Sequence, residues 1–275
     1  MPDTVKQLHT QAVTGQPDSR ERARRRIRGL SLPLGFLVVL LLAWQFAPSL
    51  FSVPSYILPE LSAVLSALTD PDALPRYLYN AGYTLFEAGV GLAIGASAGV
   101  VIGILLAEIK VLYNTFYPYI VAIQSIPKVA LAPLFVIWFG FGIESKVVVV
   151  VLLTFFPVLV NTINGMRSVD PEQIDLFRVN GATVWQTRRK LMLPASLPYI
   201  FTGLEIAVVM AMLGAIVAEF VGAQNGLGVL ILQAQFQMQT AAVFALLIIL
   251  STIGISLNLL VRLVRRKVVF WMPTK

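Results

Sequence analysis

The sequence predicts an all-α polytopic membrane protein with six helices crossing the bilayer, and three observations carry the prediction. The 275 residues are 57% hydrophobic and only 13% charged, too apolar for a water-soluble globule of ordinary composition. The apolar residues fall in runs near the roughly 20 residues needed to cross about 30 Å of hydrocarbon. These runs begin near Gly29, Ala81, Val111, Val147, Pro198 and Ala241. They are continuous rather than alternating, so the spans are helices that satisfy their own backbone hydrogen bonds, not barrel strands.

The formal net charge of +7 is unevenly spread. Arg20, Arg22, Arg24, Arg25, Arg26 and Arg28 precede the first span. Arg167, Arg178, Arg188, Arg189 and Lys190 follow the fourth, and Arg262, Arg265, Arg266 and Lys267 follow the sixth. Segment 52–76 carries Glu60, Asp70 and Asp72 against Arg76, and segment 223–240 has no charge. With six spans the basic clusters share one side, which the positive-inside rule makes the cytoplasm, so both termini are expected there. The same distribution reads as topology, not as a nucleic-acid footprint. The absence of cysteine excludes disulfides, thiol catalysis and cysteine metal sites, and His9, in the polar tail, reads as solvated.

Residues 1–28 are polar and read as a flexible cytoplasmic arm, a solvated topology signal that can rest on anionic headgroups. Residues 29–75 hold the first span and an outer connection. SLFSVPSYILPE offers no small-x-small cleavage site, so the span is expected to stay as an anchor. Pro54, Pro59, Pro71 and Pro75 punctuate the connection, which has room for one short amphipathic helix, LSAVLSALTD. Residues 76–271 form the core. In the second span, GLAIGASAGVVIG sets Gly91, Gly95, Gly99 and Gly103 on one face, where a neighbouring backbone can approach closely. The third region has prolines at 118, 127 and 133 and is expected to be a broken span lining a cavity. Lys128 either faces a cavity, a carbonyl cluster or an interface, or snorkels from a helix end.

Between the fourth and fifth spans lies a segment too polar for lipid, DLFRVNGATVWQTRRKLMLP, residues 175–194. Asp170, Pro171 and Gln173 supply an N-cap, a first-turn proline and a capping-box partner. That helix is expected to stop at Asn180-Gly181, with glycine in the left-handed conformation. Thr183 caps a second helix with Val184, Trp185, Arg188, Leu191 and Met192 on one side, basic residues in its last turns and Pro194 as its end. Pinned to the bilayer by flanking spans, this pair is poorly placed to enter a DNA groove. A protein partner fits better, with Ile174 and Phe177 at helical spacing beside Asp175 and Arg178.

Here the sequence resembles a known family. Asp175 through Gly181, followed by Leu191-Met192-Leu193-Pro194, is similar to the EAA signature of binding-protein-dependent ABC importer permeases. Asp175 stands for the glutamate, Leu176 and Phe177 for the alanines and Leu191 for the isoleucine, while Gly181 and Leu193-Pro194 match. IPKVALAPLFVIWFGFGIESK, FFPVLVNTINGMRSVDPE, LPASLPYIFTGL and AEFVGAQNGLGVLI resemble the nitrate/sulfonate/taurine branch, and the likeness covers most of residues 54–271, including Trp271.

The resemblance implies a type I importer permease with a MetI-like core in a bacterial inner membrane, paired with a second permease subunit, most simply as a homodimer. It implies two cytoplasmic ATPase subunits that carry ATP and Mg, and an extracytoplasmic solute-binding protein. Segment 170–192 would be the coupling element, with Asp175, Phe177, Arg178, Asn180, Gly181, Thr183 and Trp185 at the ATPase subunit. The pathway and gate are expected around Ser125, Pro127, Lys128, Met212, Gly214 and Glu219. Binding-protein contact is expected at Asn225 and Gly226, in the turn NGLG, which reads as flexible and outward. Glu205 stands where the family often has a basic residue. Similar permeases serve nitrate, taurine, alkanesulfonates, thiamine-precursor pyrimidines, riboflavin and aromatic acids, and VAEFVGAQNGLGVLI is slightly closer to importers of organic heterocycles.

The chain itself is expected to be non-catalytic and without cofactor. No G-x-x-x-x-G-K-[ST] loop and no nucleophile with a base partner occurs. From the residues alone, the main alternative is an ion-gradient-driven secondary transporter, which usually needs ionisable groups near mid-membrane and often an internal repeat. No repeat is visible, and Glu87, Lys128, Glu205 and Glu219 read as scattered single charges.

Overall fold

The computed structural model describes residues 19–271, and its described residues are helical with no strand. His9 and the first part of the N-terminal arm lie outside the described residues. The chain divides into two units, residues 1–63 and 64–275.

In the first unit, α1 (Ser19–Leu50) begins well before the apolar run expected from Gly29, so the stretch from Arg20 to Arg28 is helical where a flexible arm was expected. Arginine and glutamate are good helix formers, and adding residues to an existing helix costs little once it is nucleated. Beyond α1 the chain folds back on its end. Trp44 Nε1 donates to Pro59 O at 3.1 Å, Ser62 N donates to Gln45 Oε1 at 2.8 Å, and Ser49 Oγ donates to Glu60 Oε1 at 2.7 Å.

The expected short helix is α2 (Leu61–Leu68). Then follow α3 (Leu74–Glu108), α4 (Lys110–Gln124), a 3₁₀ turn (Lys128–Leu131), α5 (Ala132–Phe139) and α6 (Ile143–Arg167). The polar segment folds as α7 (Pro171–Val179) and α8 (Val184–Thr187). A π turn (Arg188–Met192) leads into α9 (Leu193–Gly222), followed by α10 (Leu227–Phe236) and α11 (Thr240–Val268). Among the described residues five helical stretches are long and apolar enough to cross a membrane: part of α1, α3, α6, Val184–Gly222 and α11. The sixth expected span is α4 with Lys128–Phe139, bent by 81° at the break. This is the broken third span, and Pro127 sits in the bend.

The second unit is organised around α6, which packs along α3 on one side and α9 on the other. The glycine stripe explains the first contact. A Cβ at Gly99 would lie 2.9 Å from Phe155 O and one at Gly103 2.7 Å from Thr162 Cβ, so only hydrogen at these positions lets the two backbones meet. Gly165 and Gly203 do the same between α6 and α9, where a Cβ would meet Ser196 O and Pro157 O at 3.0 Å. Val158, Leu159, Ile163 and Ala207 fill the seams. The sequence reading missed α10. It packs Leu227, Leu230 and Ile231 against Tyr77, Ala81, Ile216 and Leu246, closing the end of the bundle opposite α7.

One boundary differs from expectation. Pro194 does not end the second polar helix, because α8 runs through the π turn directly into α9. Leu193 N donates to Arg188 O, five residues back, and the widened turn accommodates a residue with no N–H to donate.

Candidate functional site

At one end of the bundle, α7 and α8 form a capped helical pair. Asp170 Oδ1 accepts from Glu172 N at 2.9 Å, and Pro171 occupies the first turn as expected. The N-cap bond goes to Glu172 rather than forming a box with Gln173. At the far end Gly181 has φ +76°. Gly181 N donates to Arg178 O and Ala182 N to Phe177 O, both at 3.0 Å, the paired bonds of a Schellman cap. Thr183 and Gln186 then form a reciprocal capping box. Asn180 Nδ2 donates to Leu176 O at 2.7 Å, and Asp175 pairs with Arg178 at 3.2 Å in full solvent exposure, a contact of small energetic weight.

The apolar face of this pair is not the one expected. Ile174 and Phe177 are half-buried. Leu176 is 61% exposed, Val179 85%, Val184 67% and Trp185 66%. A three-residue spacing puts Ile174 and Phe177 on one face of α7, and Leu176 and Val179 on another that is left open. These four large apolar side chains are left uncovered by the rest of the chain, as at a surface that meets another protein or lipid.

The broken span places Ser125 and Pro127 on the exposed surface, with Lys128 half-buried. Lys128 Nζ donates to Gln124 O at 3.0 Å and lies 4.8 Å from the Phe156 ring centre. Its ammonium thus takes one carbonyl at the end of α4 and an aromatic face. Met212 and Gly214 sit elsewhere than on an open path within this chain. Met212 is buried with Ala88, Val150, Ala211 and Ala215, and a Cβ on Gly214 would lie 2.9 Å from Leu153 Cδ1. Their small-residue face is consumed by helix packing.

At the opposite end, Glu87, Lys146 and Glu219 are each 1–2% exposed and lie together, so Glu87 and Glu219 are not scattered single charges. Lys146 Nζ donates to Phe141 O at 2.7 Å and also to Gly222 O, the last residue of α9. Glu219 Oε1 accepts from Thr84 Oγ1 at 2.6 Å, and its Oε2 accepts from Gly228 N. Thr84 Oγ1 accepts from Leu227 N at 2.9 Å, and Asn80 Oδ1 accepts from Gly226 N at 2.8 Å. NGLG is therefore pinned at three consecutive amides instead of being flexible, and Gly226 is buried, whereas Asn225 is half-exposed. Through Thr84, Asn80, Lys146 and Glu219 these bonds fasten α3, α6 and α9 to each other and to the start of α10, while Glu87 Oε2 is buried without a hydrogen-bond partner. A cavity of about 290 Å³ adjoins the cluster, lined by Glu87, Lys146, Tyr83, Phe141, Glu144, Gln224 and Asn225 among others. Sequence reading missed Lys146, Thr84 and Asn80, since nothing local marks them as partners of Glu219. Among the described residues no group of His, Asp and Glu is arranged to hold a metal ion.

A bundle of apolar spans, one of them broken, with a capped helical pair between two of them, is the architecture of a multi-span membrane protein. The family described as "Binding-protein-dependent transport system inner membrane component" matches residues 99–270, and this chain belongs to that family, the permease components of ABC importers. The formylaminopyrimidine transport permease protein ThiX of Halalkalibacterium halodurans is 38% identical over 81% of this chain and 88% of its own length. The riboflavin transport system permease protein RibX of Chloroflexus aurantiacus is 35% identical over 93% and 95%. The putative aliphatic sulfonates transport permease protein SsuC of Bacillus subtilis is 33% identical over 89% and 87%. These are names of transport subunits, not of enzymes. Among solved structures, a chain of the MetNI methionine ABC transporter in an inward-facing conformation shares the fold with TM-score 0.63 at 19% identity, over 73% of this chain and 99% of that one. An amino acid ABC transporter follows with TM-score 0.56 at 21% identity, over 73% and 96%.

Proposed function

We propose that this chain, through its core 76–271, forms the membrane pathway of an ATP-driven importer, pairs with a second copy, and takes its solute from an extracytoplasmic binding protein. Segment 170–192 is the coupling element, with Asp175, Phe177, Arg178, Asn180, Gly181, Thr183 and Trp185 at the ATPase subunit. ATP and Mg reside on two such subunits. Both termini and the coupling segment lie on the cytoplasmic side, which the three basic clusters support. The pathway runs past Ser125, Pro127 and Lys128, backed by Met212 and Gly214, and Glu219 holds the outer gate, next to binding-protein contacts at Asn225 and the turn carrying Gly226. The solute is a small organic molecule, with aromatic or heterocyclic compounds favoured over nitrate, sulfonates and taurine by the identities to the pyrimidine and riboflavin permeases. Family membership favours this reading over a carrier driven by an ion gradient.

The observation that carries the reading is the α7–α8 pair: two capped helices, set between two spans, with Leu176, Val179, Val184 and Trp185 uncovered. ATP binding would draw two ATPase subunits together and carry these helices with them, rocking the spans, and hydrolysis would reset them. The test is Gly181→Pro, which forces φ near −65° on a residue now at +76°. Parent chain should co-purify with its ATPase subunit, and the variant should insert in the membrane but lose that subunit or its coupling. Normal uptake by the variant would exclude the assignment.

A further inference from the structure

Segment 170–192 leaves α6 after Arg167 and re-enters the bundle at Arg188, and both arginines rest on one corner of the molecule. Arg188 Nε is 3.1 Å from Glu108 Oε1. Arg167 Cζ is 3.9 Å from the Tyr113 ring centre. Glu108 is the last residue of α3 and Tyr113 lies in the first turns of α4, and only Ile109, in extended conformation, separates those helices.

Three physical points give this corner more than a packing role. A glutamate at the last position of a helix faces the negative end of the helix dipole, so Glu108 is stable there because Arg188 stands against it. Its side chain is only 16% exposed, so the pair is less screened than a surface ion pair. Lastly, Tyr113 stacks on Tyr117 with centroids 4.7 Å apart, and both pack with Leu106, Leu159 and Ile163. A push on the corner is thus delivered into the body of α4. That helix ends at Gln124, where the chain turns by 81° into the Ser125–Lys128 break. On the other side, α8 continues through the π turn into α9 without a loop that would absorb a displacement.

We infer that the Glu108–Tyr113 corner is the joint through which the coupling segment moves the broken span: Arg188 holds it by an ion pair at one end of the segment and Arg167 by a cation–π contact at the other. Glu108, Tyr113, Arg167 and Arg188 are positioning residues. The inference rests on the reading of 170–192 as the coupling element.

The chain has no cysteine, so a pair of labels can be placed at will. With Leu78→Cys and Ser125→Cys spin-labelled, the full chain is purified in lipid nanodiscs with its ATPase subunit, and the label distance is read before and after adding Mg·ATP with vanadate. The expected result is a nucleotide-dependent shift in the parent. Glu108→Gln and Tyr113→Leu, both outside the coupling segment, should keep the ATPase subunit bound and lose the shift. Glu108→Arg combined with Arg188→Glu should restore it, which a loss of packing alone would not allow. Shifts equal to the parent's in both single variants overturn the inference, as does loss in the singles without recovery in the exchange. If the parent chain fails to bind the ATPase subunit, the coupling assignment of 170–192 falls first and the inference with it.

Discussion

Gly95 has no room for a side chain: a Cβ there would lie 2.8 Å from Val151 O and press on Thr154 Oγ1. Gly95→Val should therefore cost about 1–3 kcal/mol through overpacking of the α3–α6 seam, read as a lowered midpoint of thermal unfolding in detergent. Gly89, on the same helix with nothing within 4 Å of its would-be Cβ, supplies the control, and Gly89→Ala should be neutral or stabilising. Equal effects at the two sites would refute the packing account. Lys146 poses a different case, because it is the cation beside two buried carboxyl groups. Lys146→Met strands them and should cost on the order of 3–5 kcal/mol, with the 223–228 turn opening to proteolysis; an unchanged digestion pattern would show the cluster to be dispensable. The glycine spacing was legible from the sequence because it repeats within one helix. Lys146 was not, since its partners arrive from α3 and α9.

Helix ends were the most readable elements. Asp170, Gly181 and Thr183 each act as their residue types demand, because a cap is settled by atoms within three or four residues. Thr183→Ala removes the hydroxyl that accepts from Gln186 N, one half of the capping box, and should weaken the start of α8 by about 1 kcal/mol, raising amide exchange at Gln186 roughly fivefold. Exchange at the parent rate would mean that α8 is held by its continuation into α9 alone. That continuation is what local signals misjudged. Pro194 reads as a stop in any isolated helix, yet the π turn carries the chain past it. NGLG likewise reads as a free turn, and only the neighbouring helix supplies Asn80 and Thr84 to pin its amides.

Across the whole molecule, ion pairs tie spans far apart in the chain. Glu205 on α9 accepts from Arg265 Nη1 at 2.8 Å and lies 3.8 Å from Arg262 Nε, both on α11. These two arginines give the carboxylate of Glu205 its partners. Glu205→Lys would set three cations together and should lower the unfolding midpoint of the chain, and adding Arg265→Glu should recover part of the loss. No recovery in the double variant would show that the pair contributes nothing across the α9–α11 contact. Run lengths, proline breaks and caps made the apolar spans, the broken third region and the two polar helices legible, because each depends on residues close in sequence. The sequence alone determined an all-helical permease with five or six apolar spans and a polar, capped helical segment between two of them. Only the tertiary structure decided which charges gather: Glu87, Glu219 and Lys146 in one buried cluster, and Arg167 and Arg188 on the Glu108–Tyr113 corner at the other end. The reason is geometric. An ion pair forms between whichever side chains adjacent helices bring within a few ångströms, and helix adjacency follows from complementary surfaces such as the glycine stripe against α6, which no single stretch of sequence contains.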